Sequence, residues 1–350
     1  MEYPSDMKST PHYSELNQLR GWAIFLVVVG HSRLAFPVDF TQVWWGKLLH
    51  SYIYSFHMPL LFFVSGMFYG FSSPKTYRDL LCGKIKRLLI PYIVFSILAF
   101  AGKIFFNPLV NEKIGFGLGG ILSAVLFRGG FFWFLYVLFL IFLISPLFVR
   151  CAEKTNKMLI LLLLIVISLL WKFIIPSAYA SLFCFSNVFY FMVFFNIGYT
   201  AIKYYARLKR FCSAHHISLL AISSILFLFY GDVEGNVRIF ISPYIAPYVV
   251  PFFGIVLSFV CVIIQPSRGL NKILLFFDSY CLQIYLLEPF ILIPARLLCI
   301  NVFGICDPLV SLILIVSTKI TVSLFISHLI LKKYFITRLM SGISKGSLAN

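Results

Sequence analysis

Arg20 and His31 are eleven positions apart in a stretch of the chain that is otherwise almost entirely apolar. In an α-helix, eleven steps of about 100° complete three turns with about 20° left over, so both side chains share one face. They would stand about 16 Å apart along the helix axis. Ionisable groups are costly to place within a bilayer, so this pair indicates a functional site. Only His31 can take and return a proton near neutral pH.

A second histidine, His57, lies in the next apolar stretch, Ser55-Phe56-His57-Met58-Pro59-Leu60. If consecutive helices run in opposite directions, His57 reaches a depth similar to that of His31, and the two imidazoles can share a site. The alternatives are that His31 is simply solvated beside Arg33 and that His57 only packs between helices.

Three basic residues, Lys84, Lys86 and Arg87, precede the third apolar stretch. Such a cluster follows from the excess of positive charge on cytoplasmic connections. It is also what a polyanionic donor such as coenzyme A requires, because phosphate binding depends on Lys and Arg.

Two opposite charges occur deep in the last two apolar stretches, at Glu288 and Lys319. Placed at one depth on neighbouring helices, they would form a buried ion pair that offsets part of the cost of desolvating each charge.

Composition identifies the class of protein. Of the 350 residues, 61% are hydrophobic and 12% are charged, with a mean hydropathy of +0.95, which indicates an all-α, polytopic integral membrane protein. About ten apolar stretches are long enough to cross a bilayer. They cover about 17–36, 51–71, 88–106, 130–149, 157–175, 181–201, 214–230, 238–264, 279–300 and 308–331.

Basic residues are concentrated on alternate connections between these stretches, and this asymmetry predicts that both termini are cytoplasmic. The net charge of +17 is then a topology signal, and no nucleic-acid partner is expected. We expect one membrane-embedded domain over 1–350, with a polar N-terminal segment at 1–16 and a C-terminal tail at 332–350. The eight cysteines include no C-x-x-C pair, so no metal site is expected.

Together these segments resemble acyltransferase family 3, integral-membrane O-acyltransferases, and within it the branch related to fucose 4-O-acetylases. The resemblance covers nearly the whole chain. It depends on Arg20-x10-His31, on Ser55-Phe56-His57-Met58-Pro59-Leu60 followed by Ser65-Gly66, on Lys84-Ile85-Lys86-Arg87 before Pro91-Tyr92, and on Trp133-Phe134-Leu135. The chain departs from the family pattern twice. It has Lys84-x-x-Arg87 where Arg-x-x-Arg is frequent, and Glu288 where a histidine is common after Tyr285-Leu286.

The resemblance implies transfer of an acetyl group from acetyl-CoA, a donor that is not permanently bound, to a sugar hydroxyl of a cell-surface polysaccharide or its lipid-linked precursor. The protein would be a multi-pass component of the inner (plasma) membrane, acting in the cell envelope. His31, Arg20 and His57 would form the catalytic group, and Lys84, Lys86 and Arg87 would bind the donor. Two other interpretations are compatible with the sequence. One is a transporter in which buried His, Glu and Lys form a proton relay or substrate path, and the other is a non-catalytic membrane partner of a glycan-assembly complex.

Overall fold

The computed structural model describes residues 14–33, 39–71, 76–105, 130–174, 184–231, 246–265, 267–333 and 335–342, and within these ranges every regular element is helical. Fourteen α-helices are described. The first seven are α1 (Ser14–Gly30), α2 (Trp44–Phe71), α3 (Tyr77–Lys84), α4 (Ile90–Phe105), α5 (Trp133–Lys154), α6 (Lys157–Ile174) and α7 (Phe185–Lys203). The others are α8 (Tyr205–Ala214), α9 (His216–Gly231), α10 (Ala246–Ile264), α11 (Arg268–Ser279), α12 (Cys281–Leu297), α13 (Pro308–Ile326) and α14 (Phe335–Met340).

Fewer of these helices qualify as membrane spans than the ten that the sequence predicts. Five are both long and apolar enough by length and composition: Tyr77–Gly102, Gly130–Cys151, Phe185–Lys203, Ala246–Ile264 and Pro308–Leu331. A sixth arises if α11 and α12, which meet at an angle of 74°, are one broken span. Of the remaining apolar helices, α1 is only 17 residues long. The apolar segments of α6 and α9 are also too short to be counted as spans.

The centre of the bundle is formed by α2 and α7, which touch backbone to backbone. A Cβ atom added at Gly66 would lie 2.0 Å from the carbonyl oxygen of Phe195, and one added at Gly198 would lie 2.0 Å from that of Phe63. Small residues allow this approach, as is usual where membrane helices associate by packing.

A second close approach joins α1 to α11. A Cβ atom at Gly21 would lie 1.9 Å from the carbonyl oxygen of Leu274, so only glycine fits between the two backbones. Gly21 follows Arg20 directly, and this contact therefore sets the distance from Arg20 to the residues at the end of α11.

Part of the predicted C-terminal tail is packed against the bundle. α14 lies against α4, Ser341 is buried, and Gly342 adopts a positive φ of 69° next to the carbonyl oxygen of Arg87. A left-handed conformation of this kind is readily available only to glycine.

Candidate active site

His31 follows α1 directly, and its amide continues the helical pattern with a 2.9 Å hydrogen bond to the carbonyl oxygen of Val27. This bond fixes the backbone at the point from which the imidazole projects. The side chain is 30% exposed. It is therefore held rigidly at its root and is still accessible to a substrate.

A chain of three polar groups connects His31 to the core of the protein. Nδ1 of His31 lies 3.0 Å from Oε2 of Glu288, and Oε1 of Glu288 lies 2.7 Å from Nζ of Lys319. The side chain of Glu288 is 3% exposed and that of Lys319 is fully buried. The predicted ion pair between α12 and α13 is thus present, and it extends to the histidine of α1.

Lys319 also binds the backbone of His31. Its ammonium donates a second hydrogen bond, of 2.8 Å, to the backbone carbonyl oxygen of His31. The ammonium therefore ties the backbone of His31 to the carboxylate that holds its ring. A buried cation in direct contact with Glu288 favours the ionised carboxylate.

The geometry assigns the protons on the imidazole of His31. An ionised carboxylate can only accept hydrogen bonds, so Nδ1 of His31 must donate to Glu288. The other ring nitrogen, Nε2, then carries a lone pair and can act as a base. A carboxylate that fixes the histidine tautomer and stabilises the imidazolium is the arrangement used in acyl-transfer triads.

His57 is buried beside His31, and the two residues are in contact through their rings. The ring centroids of His31 and His57 are 6.1 Å apart in an edge-to-face arrangement, and Nδ1 of His57 bonds to the carbonyl oxygen of Ile53 at 2.6 Å. The hydrogen bond that orients His31 therefore comes from Glu288. The ring of Tyr54, a residue that is 44% exposed, lies 6.0 Å from His31 and 5.0 Å from His57.

Arg33, two positions after His31, forms an ion pair with Asp39. Nη2 of Arg33 lies 3.0 Å from Asp39, whose carboxylate also accepts from the backbone amide and the hydroxyl of Thr41. Burial raises the pKa of Asp39, but the hydrogen bonds from Thr41 and Arg33 outweigh it and hold this pKa below its ordinary value. Asp39 therefore stays charged at neutral pH.

Arg20 has a partner that the sequence analysis did not assign. Its guanidinium donates from Nε and Nη2 to the two carboxylate oxygens of Asp278, with Nη2 3.1 Å from Oδ2, and lies 4.6 Å from the ring centroid of Phe68. A sequence signal for this pair exists. Asp278 precedes Glu288 by ten positions, nearly the spacing from Arg20 to His31, so the two acids of the broken span α11–α12 match the two basic groups of the first helix.

The predicted donor-binding residues lie at the end of the bundle that contains Arg20. Arg20 and Arg87 are both close enough to Lys84 for electrostatic repulsion. Nζ of Lys84 lies 3.6 Å from the ring centroid of Phe142, and Lys86 and Arg87 are exposed on a π-helical turn at Ile85–Leu89. Such turns widen a helix locally and are frequent at functional sites. We call this end, with Arg20, Lys84, Lys86 and Arg87, the basic end.

The site residues thus form two groups at different levels of one bundle. Arg20 and the three predicted donor-binding residues lie at the basic end, and His31, Glu288, Lys319 and His57 lie about 16 Å further along α1. No cluster of three or more His, Cys, Asp or Glu side chains suited to a metal ion occurs in the ranges that the structure describes.

A model of one protein family matches most of the chain. It is the model for the acyltransferase domain of acyltransferase family 3, and it covers residues 13–332. Comparisons with the curated proteins and with the solved structures give no match. The match includes α1, with Arg20 and His31, and extends past Lys319 to residue 332, just before α14. The chain belongs to acyltransferase family 3: it is an acyltransferase and is itself a membrane protein.

Proposed function

We propose that this acyltransferase is an O-acetyltransferase that moves an acetyl group from acetyl-CoA to a sugar hydroxyl of a cell-surface polysaccharide or of its lipid-linked precursor. One observation carries the proposal: the buried chain from Lys319 through Glu288 to the accessible imidazole of His31. This chain supplies a base at the place where an acceptor hydroxyl would lose its proton.

In the proposed reaction, Nε2 of His31 takes the proton of the sugar hydroxyl while the hydroxyl oxygen attacks the thioester carbonyl carbon. The carbon–sulfur bond breaks, an ester forms, and the thiolate of CoA leaves. His31 then returns the proton to the leaving thiolate. Glu288 stabilises the imidazolium between these two steps, and Lys319 keeps Glu288 ionised.

The basic end is the proposed site for the phosphates of the donor. Lys84, Lys86 and Arg87 offer positive charge beside Arg20, whose guanidinium is fixed by Asp278. Because about 16 Å of α1 separates Arg20 from His31, a donor bound here must reach inward with a long, narrow arm. The thioester-bearing arm of acetyl-CoA has this shape.

We propose that the protein lies in the inner (plasma) membrane and that its basic end faces the cytoplasm. The excess of Lys and Arg on alternate connections supports this orientation. Acetyl-CoA is a cytoplasmic metabolite, so the orientation also brings the donor to the proposed phosphate site. Both termini are then cytoplasmic.

A sugar acceptor would approach from the opposite level, where Tyr54 and His57 border His31. The ring of Tyr54, which stacks on that of His50, is still half-exposed and offers an apolar surface beside the proposed base that suits a sugar ring. The branch related to fucose 4-O-acetylases, which the sequence motifs resemble, supports the same class of acceptor. Family membership does not favour the transporter reading.

The test compares His31→Ala with His215→Ala, a change of an exposed histidine near the end of α8. Purified protein is incubated with labelled acetyl-CoA, and surface glycans of cells that carry each variant are analysed by mass spectrometry. We expect His31→Ala to reach the membrane at normal levels and to lose the acetyl increment on the glycan, while His215→Ala keeps it. A His31→Ala variant that still acetylates would overturn the proposal, and a loss of membrane insertion would make His31 structural.

A further inference from the structure

A large cavity lies outside the proposed active site. Its volume is about 590 Å³, within the range of about 300–1,000 Å³ that is typical of ligand sites. The lining residues that the structure describes come from α2, α6, α7, α8 and α10, from Asn156, which precedes α6, and from Tyr204, which lies between α7 and α8. The residues of the proposed reaction, by contrast, lie on α1, α12 and α13 or at their ends.

The walls of the cavity are mostly apolar and open towards the side of the bundle. Ile160, Ile197, Leu208 and Ile255 are among the lining residues, together with Phe252, which is 43% exposed. The neighbouring face of α6 also exposes large aliphatic side chains, namely Leu159, Leu162, Leu163 and Val166. These surfaces face hydrocarbon in a membrane protein, so the cavity is reached from the bilayer.

The level of this cavity in the membrane follows from contacts at the end of α7. Tyr199, Thr200 and Tyr204 line it and lie within five residues of Lys203, the last residue of α7. In the following helix, α8, Lys209 forms an ion pair with Glu15 in the first turn of α1, close to Arg20. The cavity therefore opens near the basic end.

Two exposed cations, Lys203 and Arg207, lie near this opening. Nζ of Lys203 lies 4.8 Å from the ring centroid of Tyr199, and Arg207 is exposed one turn further along the chain. The segment from Lys203 to Arg210 contains four basic residues and no acidic residue. An apolar cavity open to the bilayer, with cations at the level of the headgroups, is complementary to a lipid with a negatively charged headgroup.

We propose that this cavity binds one anionic phospholipid. An acyl chain fills the apolar space between α6, α7 and α10, and the phosphate of the headgroup lies against Lys203 and Arg207. The polar side chains of Thr200 and Tyr204 line the same opening and suit the ester region between chain and headgroup. The occupant is a structural lipid of the bilayer, distinct from the donor and the acceptor of the reaction.

The experiment measures lipid retention and needs no acetyl-CoA. The full-length protein is reconstituted in vesicles of phosphatidylcholine with or without phosphatidylglycerol, extracted in neutral detergent, and examined by native mass spectrometry. We expect one phosphatidylglycerol to remain bound per chain and phosphatidylcholine to be lost. The double change Lys203→Ala with Arg207→Ala should reduce this retention by about thirty-fold, because two cations near the headgroup are removed.

Two further variants separate charge from shape. Ala201→Phe places a ring in the cavity and should abolish retention with both cations present. Arg268→Ala with Lys272→Ala removes two exposed cations of α11 and should leave retention unchanged. The thermal unfolding midpoint of each variant confirms that it is folded, and the charge variants alter exposed residues only.

Four results would overturn the proposal. Equal retention of phosphatidylcholine would contradict the charge argument, and unchanged retention in both the double variant and Ala201→Phe would exclude this cavity. Displacement of the bound lipid by inorganic phosphate alone would indicate a headgroup site without an acyl-chain cavity. Recovery of a lipid-linked glycan in place of phosphatidylglycerol would identify the cavity as part of the acceptor site.

Discussion

Replacing Glu288 with Gln tests whether a charged carboxylate sets the chemistry of His31. The amide oxygen of Gln can still accept from Lys319, but its nitrogen then faces Nδ1 of His31 as a donor. Nδ1 must become an acceptor, so the ring proton moves to Nε2 and removes the base. A histidine locked in the wrong tautomer lowers kcat by about 10⁴ in a comparable triad.

The same change also has a cost in stability. Lys319 is fully buried, and removing one partner of a buried ion pair costs about 3–5 kcal/mol. The amide oxygen and the backbone carbonyl of His31 still accept from Nζ, so we expect the lower end, about 3 kcal/mol. A second variant, Glu288→Gln with Lys319→Met, removes both charges and should recover most of the free energy of unfolding, because an apolar replacement avoids the desolvation cost.

The two variants separate folding from catalysis when activity and thermal unfolding are measured together. We expect Glu288→Gln to be destabilised and inactive, and the double variant to be stable and inactive. Labelled acetyl-CoA gives the rate of transfer, and thermal unfolding in detergent gives the midpoint. If the double variant regained activity along with stability, Glu288 would be a structural counterion and the assignment of the tautomer would be wrong.

Other changes test the remaining contacts. Arg20→Lys keeps the charge but loses the two-point contact with its carboxylate, and should cost about 1.5–3 kcal/mol of unfolding free energy, read as a lower thermal midpoint. Lys84→Gln with Arg87→Gln should raise the KM for acetyl-CoA about tenfold with kcat little changed, as removal of uniform binding does; a fall in kcat alone would contradict phosphate binding. Gly66→Ala should push α2 away from α7 and lower the free energy of unfolding by about 1–3 kcal/mol, which is measured as a lower thermal midpoint. Its control, Gly102→Ala, meets nothing within 4 Å and should stabilise α4 by about 0.5–1 kcal/mol.

Helical periodicity was sufficient to predict the shared face of Arg20 and His31. Both side chains find carboxylates on the same broken span, Asp278 before the bend and Glu288 after it. Charge pairing at matched depth likewise predicted the contact between Glu288 and Lys319. These inferences used only local geometry and the cost of burying charge, and both are encoded in a single sequence.

The hydrogen bond between His31 and Glu288 could not be predicted in this way, because it depends on which helix lies against α1. Nothing in the spacing of α12 shows that its carboxylate faces the first helix rather than α13 alone. The contact of α1 with α11 depends on Gly21, and a single glycine in an apolar stretch is not specific enough to predict it. The number of spans was uncertain for a related reason: short helices and a 74° bend are made from the same apolar residues as a straight span.

The presence of glutamate at position 288 explains why a lysine is buried at position 319. An isolated carboxylate at the depth of Glu288 would be protonated or would destabilise the fold. An ionised carboxylate accepts a hydrogen bond from His31 more strongly than a neutral side chain and stabilises the imidazolium that proton transfer creates. Lys319 supplies the counter-charge and also binds the backbone of His31. The two residues therefore act as one unit, and a change at either position is expected to impair both the stability of the bundle and the basicity of His31.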